Sequence, residues 1–124
     1  MNDKRPVFRK VFSISLPFLA LISGAHRVSG AVLVLLFPFS VYLFSYSLSS
    51  EEHFNALQTY LSYPLLKLFF WLCLMPLCYH LVSGIRHLLM ELHIGEELKS
   101  ARRLGAVTVV VSGILILCVG VWLW

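Results

Sequence analysis

The stretch LGAVTVVVSGILILCVGVWLW, residues 104–124, contains no charged residue. A hydrocarbon core about 30 Å thick is crossed by about 20 apolar residues in a helix, so this stretch is long enough to span a bilayer. Working back toward the N-terminus, two further apolar stretches of spanning length appear. Residues 64–90 carry Lys67 close to their start, where a long side chain snorkels to the headgroups, and residues 23–48 carry Pro38. The first of the three spans is closed by the Ser-rich segment 45–50 and the pair Glu51 and Glu52. Backbone groups in lipid must be paired within their own segment, so all three spans are expected to be helices. A β-barrel would need many alternating segments, which the sequence lacks. The expected fold is an all-α membrane protein, one membrane-anchor domain over residues 1–124 with helices near 23–48, 64–90 and 104–124.

Composition agrees. The chain is 59% hydrophobic and 13% charged, with a mean hydropathy of +0.84, where a soluble domain carries about a quarter charged residues. These values exclude a disordered chain, a large soluble enzyme core and a nucleic-acid binder resting on a formal +4. Cys73, Cys78 and Cys118 lie in apolar runs and form no C-x-x-C pair, so neither a disulfide framework nor a zinc site is expected. The absence of C-x-x-C-H excludes a covalently attached c-type haem.

Residues 1–10 are polar and basic, and residues 11–22 are apolar but broken by Ser13, Ser15 and Pro17. That second segment is too short to span and is expected to lie in the interface. A basic start, a short apolar run and the small residues Ser23, Gly24 and Ala25 imitate a cleaved secretory signal. The apolar run that begins at Gly30 favours a retained segment instead. Nine of the ten Lys and Arg residues sit before or in the first turns of span one (Lys4, Arg5, Arg9, Lys10, Arg27) or around the second loop (Arg86, Lys99, Arg102, Arg103). The positive-inside rule then puts the N-terminus and second loop in the cytoplasm and the C-terminus on the far side, with Trp122 and Trp124 in the far aromatic belt. The lack of a long Arg- and Ser-rich leader favours a bacterial inner membrane, with a periplasmic C-terminus, over a mitochondrion. Span three also carries small residues at seven-residue spacing, Gly105 with Ser112 and Ala106 with Gly113 and Gly120, a pattern that admits close helix packing or reflects the tolerance of glycine in membrane helices.

Ionisable residues inside apolar helices are costly unless paired, ligated or facing water. The first cluster is SGAHRVSG, residues 23–30. At 100° per residue, Ser23, His26, Arg27 and Gly30 fall within about a third of the helix circumference. Arg27 stays protonated and needs an acceptor or anion opposite it, or else reaches lipid phosphate and marks topology. The second cluster is HLVSGIRHLLME, residues 80–91, where His80, Gly84, His87 and Glu91 form one stripe. His87 and Glu91 lie near the cytoplasmic exit, but His80 sits ~15 Å deeper than residue 90 at 1.5 Å per residue. Two readings of His80 stand: hydrogen-bonded to the Leu72 carbonyl that Pro76 leaves free, or ligating a metal. In the second reading, Gly84 leaves room for a flat macrocycle and Arg27 offers a cation to a propionate. No second histidine of similar depth is found, since His26, His87 and His93 lie near or beyond the cytoplasmic interface and His53 is in the opposite loop. A second axial ligand would therefore come from another subunit.

The strings S-x-x-H-R-x-S-G at residues 23–30 and H-x-x-x-G-x-R-H at residues 80–87, ending at Glu91, resemble the cytochrome b membrane-anchor subunits of succinate dehydrogenase, complex II of the respiratory chain. The likeness spans most of the chain, including the basic start with Arg-Pro and the Ser-rich first loop. The resemblance implies that His80 is an axial ligand of one haem b shared with a second three-helix anchor subunit. It implies that Ser23 and Arg27 line a ubiquinone site beside the iron-sulfur subunit, and that His26, with Arg27, lies near the haem propionates. Electrons from succinate would arrive through a flavoprotein subunit and the iron-sulfur clusters. The family pattern usually ends in aspartate where this chain has Glu91, so Glu91 and its neighbour His87 are candidates for proton delivery or for contact with the soluble subunits. The same architecture serves fumarate reductase anchors, whose direction is set by the quinone and the soluble subunits. Anchors with two haems carry several deep histidines in one chain, whereas this one has a single such residue. A non-redox accessory subunit of the membrane is the remaining alternative, and it predicts no haem absorbance.

Overall fold

The structure, a computed structural model, describes residues 17–95 and 97–124. Most of the expected interfacial segment, residues 11–16, lies outside the described residues; its remainder, from Phe18, is continuous with the first helix. The described residues form four helices and no strand: α1 (Phe18–Ser49), α2 (Glu51–Leu61), α3 (Pro64–Glu91) and α4 (Leu98–Leu123). Helices α1, α3 and α4 are long and apolar enough to cross a membrane. The chain is thus a multi-pass membrane protein.

Two spans begin earlier than their apolar runs suggest. Helix α1 starts at Phe18, directly after Pro17, whose carbonyl accepts from the amides of Ala20 and Leu21. Helix α4 starts at Leu98 and includes Lys99, Arg102 and Arg103. In α4 the basic first turns extend the helix past its apolar run, as a helix end in the headgroup layer does, whereas the early residues of α1 are themselves apolar. The first loop is itself helical. Ser50 caps α2, its hydroxyl accepting from the His53 amide at 3.1 Å, and Glu51 and Glu52 in the first turn complement the positive end of the helix dipole. Between α3 and α4, His93 (φ 61°) and Gly95 (φ 85°) reverse the chain, and the left-handed backbone at residue 95, beside the Leu104 side chain, favours glycine.

Helix α1 runs antiparallel to α3, as His26 meets Gly84 while Gly30 meets His80. Helix α4 packs through Ala101, Gly105, Thr108 and Ser112, all buried and spaced four, three and four. A Cβ at Gly105 would lie 2.8 Å from Ile22 Cδ1, so the glycine sets how closely α4 approaches α1. The other small-residue stripe divides: Ala106 is exposed, Gly113 has nothing within 4 Å of where a Cβ would be, and Gly120 faces Trp71. Trp71 Nε1 donates to the Ile116 carbonyl at 2.9 Å, joining α3 to α4 in the half away from His26, His80 and His87. Large apolar side chains such as Leu35 (78% exposed) and Val121 (81%) cover the outside, as lipid or a neighbouring helix requires.

Candidate functional site

The two polar clusters meet. His80 Nδ1 lies 3.0 Å from Ser29 Oγ and 3.3 Å from the His26 carbonyl oxygen, and the Ser29 hydroxyl donates to that same carbonyl at 2.7 Å. A hydroxyl has one proton, and here it is directed at the carbonyl, so the Ser29 oxygen faces Nδ1 as an acceptor. Both neighbours of Nδ1 accept, which assigns the imidazole proton to Nδ1 and leaves Nε2 with its lone pair. The reading in which Leu72 satisfies His80 is replaced, because the ring points across to α1 rather than back along its own helix.

His26 lies against His80, with ring centroids 4.2 Å apart and planes 16° from parallel. Its ring is also 6.2 Å from that of His87, and its Nε2 is buried without a hydrogen-bond partner. The expectation that His26 sits much shallower than His80 therefore needs correcting. Because α1 begins at Phe18, His26 is about 12 Å from its helix end and His80 about 16 Å from the opposing end of α3, at 1.5 Å per residue. Gly84 faces His26: a Cβ there would be 3.7 Å from His26 Nε2, an ordinary van der Waals contact. The glycine that lies against His80 is Gly30, where a Cβ would lie 3.0 Å from Cε1.

Ser23 and Arg27 stand on the flank of α1, both exposed, and Arg27 forms no ion pair among the described residues. On α3, His87 Nε2 is 3.4 Å from Glu91 Oε1, with both side chains more than 60% exposed. The helix stripe drawn from spacing therefore has a part-buried end at His80 and an open end at Glu91. Beside His80 a cavity of about 860 Å³ opens between α1 and α3, lined by Gly30, Leu33, Phe37, Cys73 and Leu77 and reaching Trp122 of α4. Its volume falls within the usual range for cofactor sites, about 300–1,000 Å³. No group of three or more His, Cys, Asp or Glu residues among the described residues could hold a bare metal ion. A single imidazole with a free Nε2, at the edge of a large apolar cavity, suits a metal that brings most of its own ligands, as haem does.

Spacing did not single out Ser29 or Tyr79, and it placed Gly30 on the polar face of α1 without setting it against His80. Ser29 and Gly30 were present in the first string, but which face opposes His80 is decided only when α1 and α3 pack. Tyr79, whose hydroxyl donates to the Ile22 carbonyl at 2.9 Å, follows from the same packing.

Residues 1–119 match the family described as succinate dehydrogenase/fumarate reductase transmembrane subunit. The chain is also similar to the succinate dehydrogenase cytochrome b556 subunit of Coxiella burnetii, at 39% identity over 125 residues that cover all of both chains.

Proposed function

The chain belongs to the succinate dehydrogenase/fumarate reductase transmembrane-subunit family, and from that premise we propose that it is a cytochrome b anchor binding one haem b jointly with a second anchor subunit. The state of the His80 ring carries this reading. Nδ1 is engaged by Ser29 and the His26 carbonyl, and Nε2 is left to coordinate iron. His26 is not the second axial ligand, since two rings stacked face to face 4.2 Å apart cannot stand on opposite faces of one macrocycle. The partner ligand then comes from the second three-helix anchor, as the relative's description as a cytochrome b subunit accommodates. Bound haem would supply one-electron capacity within the membrane. The flavoprotein and iron-sulfur subunits would carry succinate oxidation, so this chain is not catalytic alone.

Quinone reduction is assigned to the flank of α1. Arg27 and Ser23 share a face one turn apart and are open to a neighbouring subunit. A guanidinium and a hydroxyl there hydrogen-bond a ubiquinone carbonyl oxygen and stabilise the negative charge that develops on it, more strongly in a low-dielectric site than in water. His26 and Arg27 lie near the propionates in this arrangement, and His87 with Glu91 faces the aqueous boundary, where proton delivery or contact with the soluble subunits takes place. The N-terminus and the α3–α4 loop are cytoplasmic and the C-terminus periplasmic in a bacterial inner membrane, on the distribution of Lys and Arg. In the assembled complex, Arg27→Leu is expected to lower succinate-driven ubiquinone reduction by about 10²-fold, the scale of losing one oxyanion donor. Succinate oxidation with a soluble electron acceptor stays at the wild-type rate. Wild-type quinone reduction in that variant contradicts the assignment.

A further inference from the structure

Nothing in the motif reading gives Ser29 a task, yet it is 6% exposed and touches both histidines of the site. We propose that Ser29 is the positioning residue for the axial ligand: its hydroxyl oxygen accepts from Nδ1–H of His80 and so fixes the tautomer and rotation of that ring. The inference rests on His80 being the iron ligand, and it adds a residue from the opposite helix that determines how the ligand binds.

The argument is one of proton count and geometry. The Ser29 hydroxyl spends its only hydrogen on the His26 carbonyl, 2.7 Å away, where the bond closes back one turn within α1. Its lone pairs are thereby turned toward His80, 3.0 Å away on α3. The His26 carbonyl is a second acceptor for Nδ1, but at 3.3 Å it is the longer contact. Gly30 backs the Cε1 edge of the ring and His26 covers its face, so rotation is blocked on those sides as well. A ligating histidine that donates through its other nitrogen becomes a better electron donor to the metal and is held in the ligating tautomer. Greater donation favours the ferric over the ferrous state, so loss of the Ser29 oxygen raises the reduction potential.

The test uses the complex assembled with its partner subunits, as wild type, Ser29→Ala and Ser29→Thr. Haem content at limiting haem and the haem midpoint potential are read for each. Ser29→Ala is expected to retain haem about 10–100-fold less tightly, the usual cost of removing such a partner. The haem that remains should titrate at higher potential, by about 59 mV for each tenfold loss in preference for the ferric form. Ser29→Thr, which keeps the hydroxyl, should match wild type. The proposal is overturned if Ser29→Ala matches wild type in both readouts, if Ser29→Thr is displaced as far as Ser29→Ala, or if neither variant assembles. A wild-type complex without haem removes the His80 reading and this inference together, whereas the first three outcomes leave the His80 reading standing.

Discussion

At the scale of the residue, His80 is confined by three neighbours of different kinds: an oxygen at Nδ1, a stacked ring, and a bare Cα at Gly30. The last is the most sensitive to change. A Cβ at residue 30 would sit 3.0 Å from Cε1 and 3.5 Å from Nδ1, and the ring cannot move away without stretching its contact to Ser29. Overpacking of this kind costs about 1–3 kcal/mol. Gly30→Ala should therefore lower the haem-to-protein ratio of the purified complex while leaving its helix content unchanged. A wild-type ratio would show that the ring has more freedom than this geometry allows. His80 itself was legible in the sequence because a deep imidazole in an apolar helix demands a partner. Its surroundings were not, because spacing along one helix cannot say which residues of another helix face it.

Among the elements, the three spans could be read directly from apolar run length, whereas α2 could not. Its signals, a capping serine with two acidic residues behind it, are local and polar, and hydropathy does not register them. The early start of α4 lies in a polar, basic turn that hydropathy does not register, whereas α1 starts within the apolar segment 11–22, directly after Pro17, and that missed start is what misplaced His26 in depth. The small residues of α4 show a similar limit. Seven-residue spacing drew two stripes, but packing buries Ala101, Gly105, Thr108 and Ser112 and leaves Gly113 open. The two glycines of the second stripe should then behave differently. At Gly120 a Cβ would meet the Trp71 indole at 3.0 Å, and that ring is tied to Ile116 by its Nε1–H. Gly120→Ala should lower the thermal unfolding midpoint of the detergent-extracted protein, at a cost of about 1–3 kcal/mol, whereas Gly113→Ala should leave it level or slightly raised. A lower midpoint for Gly113→Ala and none for Gly120→Ala would reverse the packing described for α3 and α4.

Taken whole, the molecule is a three-span bundle whose own core is thin: among the described residues, Ile22 is the only large apolar side chain that is buried. Its exposed apolar surface is in keeping with a membrane anchor of the succinate dehydrogenase/fumarate reductase family. The measurement that bears most directly on the account is the visible absorption spectrum of the complex, purified with its partner subunits, as wild type and as His80→Leu. The account predicts a Soret band, with resolved α and β bands on reduction, in the wild type, lost or shifted in the variant. A colourless wild-type complex, or an identical spectrum from both proteins, would contradict it.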